Sequence, residues 1–249
     1  RTVVTGAASG LGRALAEGLA RRQRRLILID RDLKGLEEVC PGRSEVQRVA
    51  CDLADEDAVS ALIESPAWTA GPIAELFTCA GLGLRGTVVD LPFKEQAAIM
   101  RVNFLSRLQL VHGALGGMRA GQFGRIVLIS SSSAFQALPY MSVYAASNAA
   151  LLLFGEGLSL EMDGDGVEVL TVCPGGMRTG FQKRAGVKEL PGERLMEPEA
   201  VAEEILEALG RNLGVIMPSF RSKAMSFMAR VLPRRLSRAL WGWLMRRLR

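Results

Sequence analysis

The stretch Thr5–Gly12, TGAASGLG, places three glycines in the pattern of a phosphate-binding turn. Gly6, Gly10 and Gly12 would allow a tight turn and let a diphosphate approach backbone N–H groups at the start of a helix. Asp30 ends a second apolar run 24 residues after Gly6. A carboxylate there can bind both hydroxyls of an adenosine ribose and would repel a 2′-phosphate. Loop and acid together predict a dinucleotide site, the alternative being a glycine turn with an ordinary surface Asp.

Short apolar runs that alternate with amphipathic segments must position this loop. The predicted strands are Thr2–Thr5, Leu26–Ile29, Val46–Ala50, Leu76–Thr78, Arg125–Ile129, Val167–Val172 and Val215–Met217. The segments between them repeat apolar residues one helical turn apart, for example at Leu11, Leu15 and Leu19. This alternation is typical of a parallel sheet covered on both faces. We predict an α/β fold, a doubly wound single domain over residues 1–219, followed by a basic helical tail over 220–249.

The loop TGxxxGxG resembles the cofactor loop of the short-chain dehydrogenase/reductase family, rather than the GxGxxG of other dinucleotide folds. Further motifs similar to this family follow in order: CDL with Asp52, TCAG at Thr78–Gly81, VNFLS with Asn103, GRIVLISS with Ser131 and PGGMRT at Pro174–Thr179. Ser131 precedes Tyr144 by thirteen residues, the family's serine–tyrosine spacing. TCAG keeps Ala80 and Gly81 of the family's NNAG but neither Asn. The resemblance extends through Met217 and implies a Rossmann-type fold.

The resemblance also implies which residues form the site. The residues implied for catalysis are Asn103 as a helix support and water relay, Ser131 as the partner of the carbonyl oxygen, Tyr144 as the acid/base, and Asn148. Those implied for cofactor binding are Gly6, Ser9, Gly10, Leu11, Gly12, Asp30, Arg31, Asp52, Leu53, Ala80, Gly81, Asn103, Tyr144, Asn148, Pro174, Gly175 and Thr179. Thr179 matches the residue that holds the nicotinamide carboxamide. The implied reaction is interconversion of a secondary alcohol and a ketone.

Asn148 departs from the family pattern, which has a lysine four residues after the tyrosine. In the family this lysine binds the nicotinamide ribose and favours tyrosinate, because a free phenol has a pKa of about 10. A cation about 5 Å away, at an effective dielectric near 20, stabilises tyrosinate by roughly 3 kcal/mol, or about two pKa units. No lysine lies between Lys94 and Lys183. Activity should therefore fall by on the order of a hundredfold unless Lys183, Arg184 or a bound substrate compensates.

Three interpretations of Asn148 stay open. The chain is a slow or alkaline-shifted dehydrogenase, a catalytically silent NAD-binding protein on a membrane surface, or an enzyme whose lysine was replaced to trap a complex. Because Asn103, Ser131, Tyr144 and Thr179 are all retained, the sequence favours an oxidoreductase impaired by Asn148 over a silent binder.

The cofactor predicted from these residues is NAD, with NADP less favoured. Asp30 favours NAD, and Ser9 agrees, since NADP-preferring relatives often have a basic residue in that part of the loop. Arg31 argues mildly the other way because it could pair with a phosphate.

Composition excludes several classes of site and partner. His112 is the only histidine, and four scattered cysteines form no CxxC, so we predict neither a metal site nor a disulfide framework. Reduced thiols indicate a cytoplasmic protein. The net charge is +5, but residues 221–249 hold nine basic residues and no acid, which leaves −4 for residues 1–220 and predicts no nucleic-acid surface. No apolar stretch reaches spanning length, so we predict no transmembrane helix; the chain opens without Met, so a leader is not excluded.

The segment between Gly175 and Glu197 closes over substrate in the family. It mixes Met177, Phe181, Val187 and Leu190 with Lys183, Arg184 and Lys188. This mixture suits a lipophilic substrate with an acidic end, such as a fatty acyl or isoprenoid-type molecule. An exposed loop solvated by its charges is an equal alternative.

The tail divides at Pro233 into two predicted helices. In the second, the apolar face comprises Leu236, Leu240, Trp243, Leu244 and Leu248, with Arg234, Arg238 and Arg249 opposite and Arg247 on the apolar side. A basic amphipathic helix with tryptophans indicates peripheral membrane contact through 221–249. The alternative is packing on a partner subunit, and the family resemblance implies a homodimer or homotetramer.

Overall fold

A computed structural model describes residues 1–187 and 195–246. Its strands are β1 (Thr2–Thr5), β2 (Leu26–Asp30), β3 (Val46–Ala50), β4 (Glu75–Thr78), β5 (Gly124–Ile129), β6 (Val167–Val172) and β7 (Val215–Ile216). They form one parallel sheet in the order β3-β2-β1-β4-β5-β6-β7. Each predicted strand is present within one residue of its predicted bounds, so the doubly wound α/β prediction is confirmed.

Helices connect these strands. In chain order they are α1 (Gly10–Arg21), α2 (Leu33–Glu37), α3 (Glu56–Glu64), α4 (Pro66–Thr69), α5 (Phe93–Met100), α6 (Ser106–Ala120), α7 (Ser142–Glu161), α8 (Phe181–Ala185), α9 (Pro198–Ala208), α10 (Phe220–Val231) and α11 (Arg234–Arg246). A π-helical segment, Arg101–Leu105, joins α5 to α6, and a 3₁₀ turn, Ser132–Phe135, follows β5.

Two apolar clusters cover the two faces of the sheet. On one face, α1 and α9 pack through residues such as Leu15 and Ile205. On the other face, α3, α6 and α7 pack through residues such as Val59, Leu110 and Leu151. Burial of these helical stripes fixes each helix against the sheet and therefore fixes the loops at its edge.

Helix α7 is the one described helix that is long and apolar enough to span a membrane by length and composition, a candidate that the sequence analysis did not predict. Its inner residues Leu151 and Leu158 are buried against the sheet. Its outer residues Leu153 and Leu160 are exposed. In this fold α7 is a central packing helix, and its first turns carry Tyr144 and Asn148.

The C-terminal helices are separated at Leu232 and Pro233, since α10 ends at Val231 and α11 begins at Arg234. Helix α10 packs against the 3₁₀ turn after β5. There the Arg230 guanidinium lies 5.0 Å from the ring centroid of Phe135 and 3.7 Å from the Glu156 carboxylate. The division at 219/220 stays a prediction. Of the residues assigned to the membrane face, the Leu244 side chain, Arg247, Leu248 and Arg249 lie outside the described part.

Gly155 allows α7 to lie close to β6. A Cβ at this position would sit 2.0 Å from Thr171 Oγ1 and 3.0 Å from Leu128 Cδ1. Gly157 lies in the same helix, and a Cβ there would meet nothing within 4 Å. The two glycines thus differ in packing but share a helical backbone.

We expect Gly155→Ala to lower the free energy of unfolding by about 1–3 kcal/mol, because the methyl group would push α7 away from β6. Gly157→Ala is the matched control and should raise stability by about 0.5–1 kcal/mol through helix propensity. Urea denaturation of both variants measures the difference. Equal stability of Gly155→Ala and the parent would contradict this account of the helix–sheet contact.

Candidate functional site

A cavity of about 520 Å³ opens at the carboxyl edge of the sheet, which includes the point between β1 and β4 where the strand order reverses. Ligands of open α/β sheets bind at such points. The structure brings every predicted site residue to this one cavity: Gly6, Ser9, Gly10, Leu11, Gly12, Asp30, Arg31, Asp52, Leu53, Ala80, Gly81, Asn103, Ser131, Tyr144, Asn148, Pro174, Gly175 and Thr179. Their individual roles stay predictions.

Two glycines of the loop, Gly6 and Gly12, have no room for a side chain. Gly6 has φ +65°, and a Cβ there would lie 2.7 Å from the Ala80 backbone. A Cβ on Gly12 would lie 2.2 Å from Gly6 O. Ser9, the N-cap of α1, makes no side-chain capping hydrogen bond. The first-turn N–H groups of α1 are therefore left for another acceptor, as in an anion site.

Three aspartates, Asp30, Asp32 and Asp52, line the cavity at or just beyond the ends of β2 and β3. Asp30 Oδ2 accepts from the Ala8 N–H at 3.1 Å, and its Oδ1 accepts from the Asp32 N–H at 3.1 Å. Asp52 Oδ1 accepts from the Ala54 N–H at 2.9 Å. Arg31, which also lines the cavity, is exposed. This end of the cavity thus combines hydrogen-bond acceptors with negative charge.

Asn103 ties the loop after β4 to α7. It lies in the π-helical segment, a distortion that is frequent at functional sites. Its Oδ1 accepts from the Leu82 N–H at 2.8 Å, and its Nδ2 donates to Leu82 O at 2.9 Å and to Ser147 Oγ at 3.0 Å. This buried amide fixes the loop and the start of α7 relative to each other.

Tyr144 lies in the first turn of α7, and its ring packs against Phe181 with centroids 5.4 Å apart. Ser131 lies at the end of β5, where its Oγ accepts from the Ser133 N–H at 3.1 Å. Burial raises the pKa of Tyr144, while hydrogen bonding to Ser131 and the positive charge of Arg107 oppose that rise. The phenol is therefore protonated at neutral pH and can donate a proton.

Asn148 folds back on its own helix. Its side chain is 3% exposed, and Nδ2 donates to the Tyr144 carbonyl oxygen at 2.9 Å. Ser130 Oγ donates to the Asn148 carbonyl oxygen at 3.0 Å. The amide supplies no positive charge. Of the two compensating groups named from sequence, Arg184 borders the cavity and is exposed, whereas Lys183 is exposed and does not line it.

Arg107 is a charged cavity residue that the sequence analysis missed. Its guanidinium, 3% exposed, donates to the carbonyl oxygens of Ala80 and Ile129. Within the described residues, its Nε has no hydrogen-bond partner. Burial lowers the pKa of Arg107 to about 10, which leaves it protonated at neutral pH. Its position four residues after Asn103 places both on one helical face, which is the signal that could have revealed it.

Apolar residues form part of the remaining cavity wall, beside polar residues such as Arg85, Gln136 and Gln182. The apolar residues include Leu138, Met141, Met177, Phe181 and Val187, together with Trp241 from α11. Met177, Phe181 and Val187 come from the predicted substrate segment, while its Lys188 and Leu190 lie outside the described residues. Sequence reasoning did not place Trp241 here, because no local pattern indicates that a C-terminal helix reaches the cavity.

Comparison with known proteins agrees with this geometry. The family model for short chain dehydrogenases matches residues 1–189. Ketoacyl reductase HetN of Nostoc sp. is 29% identical over 214 residues, which cover 83% of this chain and 74% of that protein. Dehydrogenase/reductase SDR family member 7B of Bos taurus is 31% identical over 227 residues, 84% of this chain and 70% of that protein.

Among solved structures, a short-chain dehydrogenase from Sphingobium yanoikuyae in complex with NADPH superimposes with a TM-score of 0.79 at 26% identity, covering 92% of this chain and 93% of that one. The family match spans the glycine loop, Ser131, Tyr144 and Thr179. The chain therefore belongs to the short-chain dehydrogenase/reductase family of oxidoreductases.

Proposed function

We propose that the chain is an NAD(H)-dependent oxidoreductase that interconverts a secondary alcohol and a ketone on a lipophilic substrate. The observation that carries this proposal is the meeting of Ser131 and Tyr144 with the glycine loop and Asp30 in one cavity. A phenol that can move a proton thus shares its cavity with groups suited to a dinucleotide.

The cavity fits the proposed cofactor. Side chains at Gly6 and Gly12 would collide with the backbone, and the uncapped N–H groups of α1 suit a diphosphate. Asp30 would bind the adenosine ribose, and Thr179 would bind the nicotinamide carboxamide. When bound, the cofactor supplies or accepts the hydride.

The choice of NAD over NADP rests on local charge. The carboxylates of Asp30 and Asp52 both line the adenosine end, and Asp30 would repel a 2′-phosphate. The Sphingobium yanoikuyae relative is described with NADPH. Membership of the family does not by itself decide between NAD and NADP, so the proposal depends on Asp30 and Asp52.

The chain's own residues handle the proton. In ketone reduction, Tyr144 Oη donates its proton to the carbonyl oxygen, and Ser131 Oγ donates a hydrogen bond to the same oxygen. In alcohol oxidation, tyrosinate accepts the hydroxyl proton. Asn103 makes its three hydrogen bonds to Leu82 and Ser147. It therefore positions the loop after β4 and the first turns of α7.

A lipophilic substrate suits the apolar wall formed by Leu138, Met141, Phe181 and Trp241. The relative from Nostoc sp. is a ketoacyl reductase by name, which supports a ketone on an acyl chain as the substrate class. The rival interpretation is a silent dinucleotide binder, which needs the adenosine end of the cavity but has no use for Tyr144.

Replacing Tyr144 separates these two functions. We expect the parent to oxidise NADH with medium-chain ketones or ketoacyl thioesters, and Tyr144→Phe to lower turnover by about 10²–10⁴-fold because the proton donor is lost. NADH affinity, measured by fluorescence, should change only about twofold, because the glycine loop, Asp30 and the other predicted cofactor residues stay in place. Tyr140→Phe is the matched control and should keep full activity, because Tyr140 does not line the cavity. Tight NADH binding by a parent that reduces no ketone in the panel would favour the silent binder.

Replacing Asp30 tests cofactor choice. We expect Asp30→Asn to shift the ratio of NADPH to NADH affinity by at least about tenfold toward NADPH, because a charge that repels the 2′-phosphate is removed. Asp55→Asn is the control, since Asp55 caps α3 and does not line the cavity. An unchanged ratio would contradict the assignment of Asp30.

We further propose that the cytoplasmic protein lies peripherally on an anionic membrane through α10 and α11. Phe227 is 68% and Leu236 58% exposed, and Val231 is also exposed. Exposed basic residues accompany this apolar surface: Lys223, Arg230, Arg234, Arg235 and Arg238. Because Trp241 of the same surface helix lines the cavity, a lipophilic substrate would reach it from the bilayer surface.

Vesicle sedimentation measures this contact. We expect binding to phosphatidylcholine vesicles that contain phosphatidylserine, and Arg234→Gln/Arg238→Gln should weaken it by roughly thirtyfold, at about 1 kcal/mol per arginine. Arg21→Gln/Arg25→Gln removes the same charge from exposed residues outside these helices and should change binding little. Equal losses in the two double variants would show that net charge alone directs binding and would overturn the proposed surface.

A homo-oligomer is proposed as the assembly state. The outer faces of the π-helical segment, α6 and α7 expose Leu105, Leu108, Leu153 and Leu160. Neighbouring exposed apolar residues of this kind suit a two-fold contact between copies, as a homodimer or homotetramer.

A further inference from the structure

We propose that the Arg107 guanidinium is the positive charge that favours the tyrosinate form of Tyr144, in a site where position 148 holds a neutral amide. Arg107 would act through Tyr144 and is therefore a positioning residue for the proton transfer. The catalytic use of this charge rests on the proposed function. The effect of Arg107 on the pKa of Tyr144 can be measured without substrate or cofactor.

Hydrogen bonds to two backbone carbonyl groups fix the guanidinium in the wall of the cavity. Arg107 donates to the carbonyl oxygen of Ala80, just beyond β4, and to that of Ile129, at the end of β5. A Cβ on Gly81 would lie 3.5 Å from Arg107 Nη2 and 3.6 Å from Asn103 Oδ1. The guanidinium, the Asn103 amide and the loop after β4 therefore meet at one point, and this point lines the same cavity as Tyr144.

The positive charge of Arg107 is held by backbone carbonyl groups. Among the described residues, no carboxylate forms an ion pair with Arg107. The titratable groups that face it are Cys79 and Tyr144. Burial raises the pKa of the Cys79 thiol to about 12, so that group stays neutral. Of these two titratable groups near Arg107, Tyr144 is therefore the one whose anion the proposed reaction forms.

The other neighbours of Tyr144 cannot replace this charge. Ser131, Ser133 and Asn148 are neutral hydrogen-bonding groups. Of the further arginines that line the cavity, Arg31 follows β2 at the adenosine end, Arg85 lies over the Tyr140 ring, and Arg184 is exposed. A buried guanidinium without a paired carboxylate is costly, which is typical of a functional position rather than of a structural one.

The proton balance is simple. In reduction, the O–H bond of Tyr144 breaks as a new O–H bond forms on the substrate oxygen, and the bound cofactor would supply the hydride that the carbonyl carbon accepts. The resulting tyrosinate is stabilised by Arg107 until a proton from solvent restores the phenol. In alcohol oxidation the proton moves in the opposite direction: tyrosinate at Tyr144, stabilised by Arg107, accepts the hydroxyl proton of the substrate.

Titration of Tyr144 tests this role directly. The chain has two tyrosines, so in a Tyr140→Phe background the near-ultraviolet absorbance of tyrosinate reports Tyr144 alone. A nearby cation favours the anion, so its removal raises the pKa. Arg107→Gln, which can still donate to a backbone carbonyl, should raise the apparent pKa of Tyr144 by about one to two units, or move it above the accessible range. Arg107→Lys should change it little.

A lysine placed one helical turn after Tyr144 supplies the matched rescue. Arg107→Gln/Asn148→Lys should bring the apparent pKa of Tyr144 back toward the parent value. The pH at which alcohol oxidation reaches its plateau should move upward in Arg107→Gln and return in the double variant. Thermal unfolding checks that each variant is folded, and Arg107→Met takes the place of Arg107→Gln if the latter is not.

Superimposable Tyr144 titration curves for the parent and for Arg107→Gln would overturn the role of Arg107, whatever the activity assays show. If the curves separate as expected while no ketone is reduced, the electrostatic pair stands and the proposed reaction fails. The two conclusions are therefore tested by separate readouts.

Discussion

Two backbone carbonyl groups hold a buried positive charge at the edge of the sheet, and the candidate site is arranged around it. Ala80 lies just beyond β4 and Ile129 ends β5, so Arg107 joins two adjacent strands through their carbonyl oxygens. A guanidinium removed from water needs such acceptors, because its desolvation is costly. The loop after β4, the end of β5 and the start of α6 must therefore keep one fixed relation.

Close backbone contacts at Gly6 and Gly12 constrain the same edge of the sheet from the other side. Gly6 approaches the Ala80 backbone, and Gly12 approaches the Gly6 carbonyl, so β1, β4 and the first turn of α1 come together more closely than any Cβ would allow. The Ala80 segment thus contacts the glycine loop on one side and the buried charge on the other. Through this shared wall, the dinucleotide end of the cavity and the Tyr144 end are parts of one packed structure.

Much of this arrangement could be predicted from sequence because it is local or topological. Strands such as Val167–Val172 follow from apolar runs, and the carboxyl ends of parallel strands meet at one edge, which brings Asp30, Asp52 and Ser131 together. Arg107 could not be predicted with the same ease, since helical period tells which residues share a face but not that an arginine on that face is buried under two strand ends. The position of Trp241 is harder still to predict from sequence, because its place in the cavity depends on the packing of α10 against the turn after β5.

We infer that this chain keeps an intact proton-transfer site despite Asn148, because the required charge comes from another helix. The most direct test compares NADH oxidation by the unsubstituted chain and by Asn148→Lys, under identical conditions and with the same lipophilic ketones. We expect the unsubstituted chain to turn over at a rate within about tenfold of the variant, since a cation already stabilises tyrosinate. Turnover by Asn148→Lys alone, with equal NADH binding by both proteins, would contradict it and would identify Asn148 as the lesion.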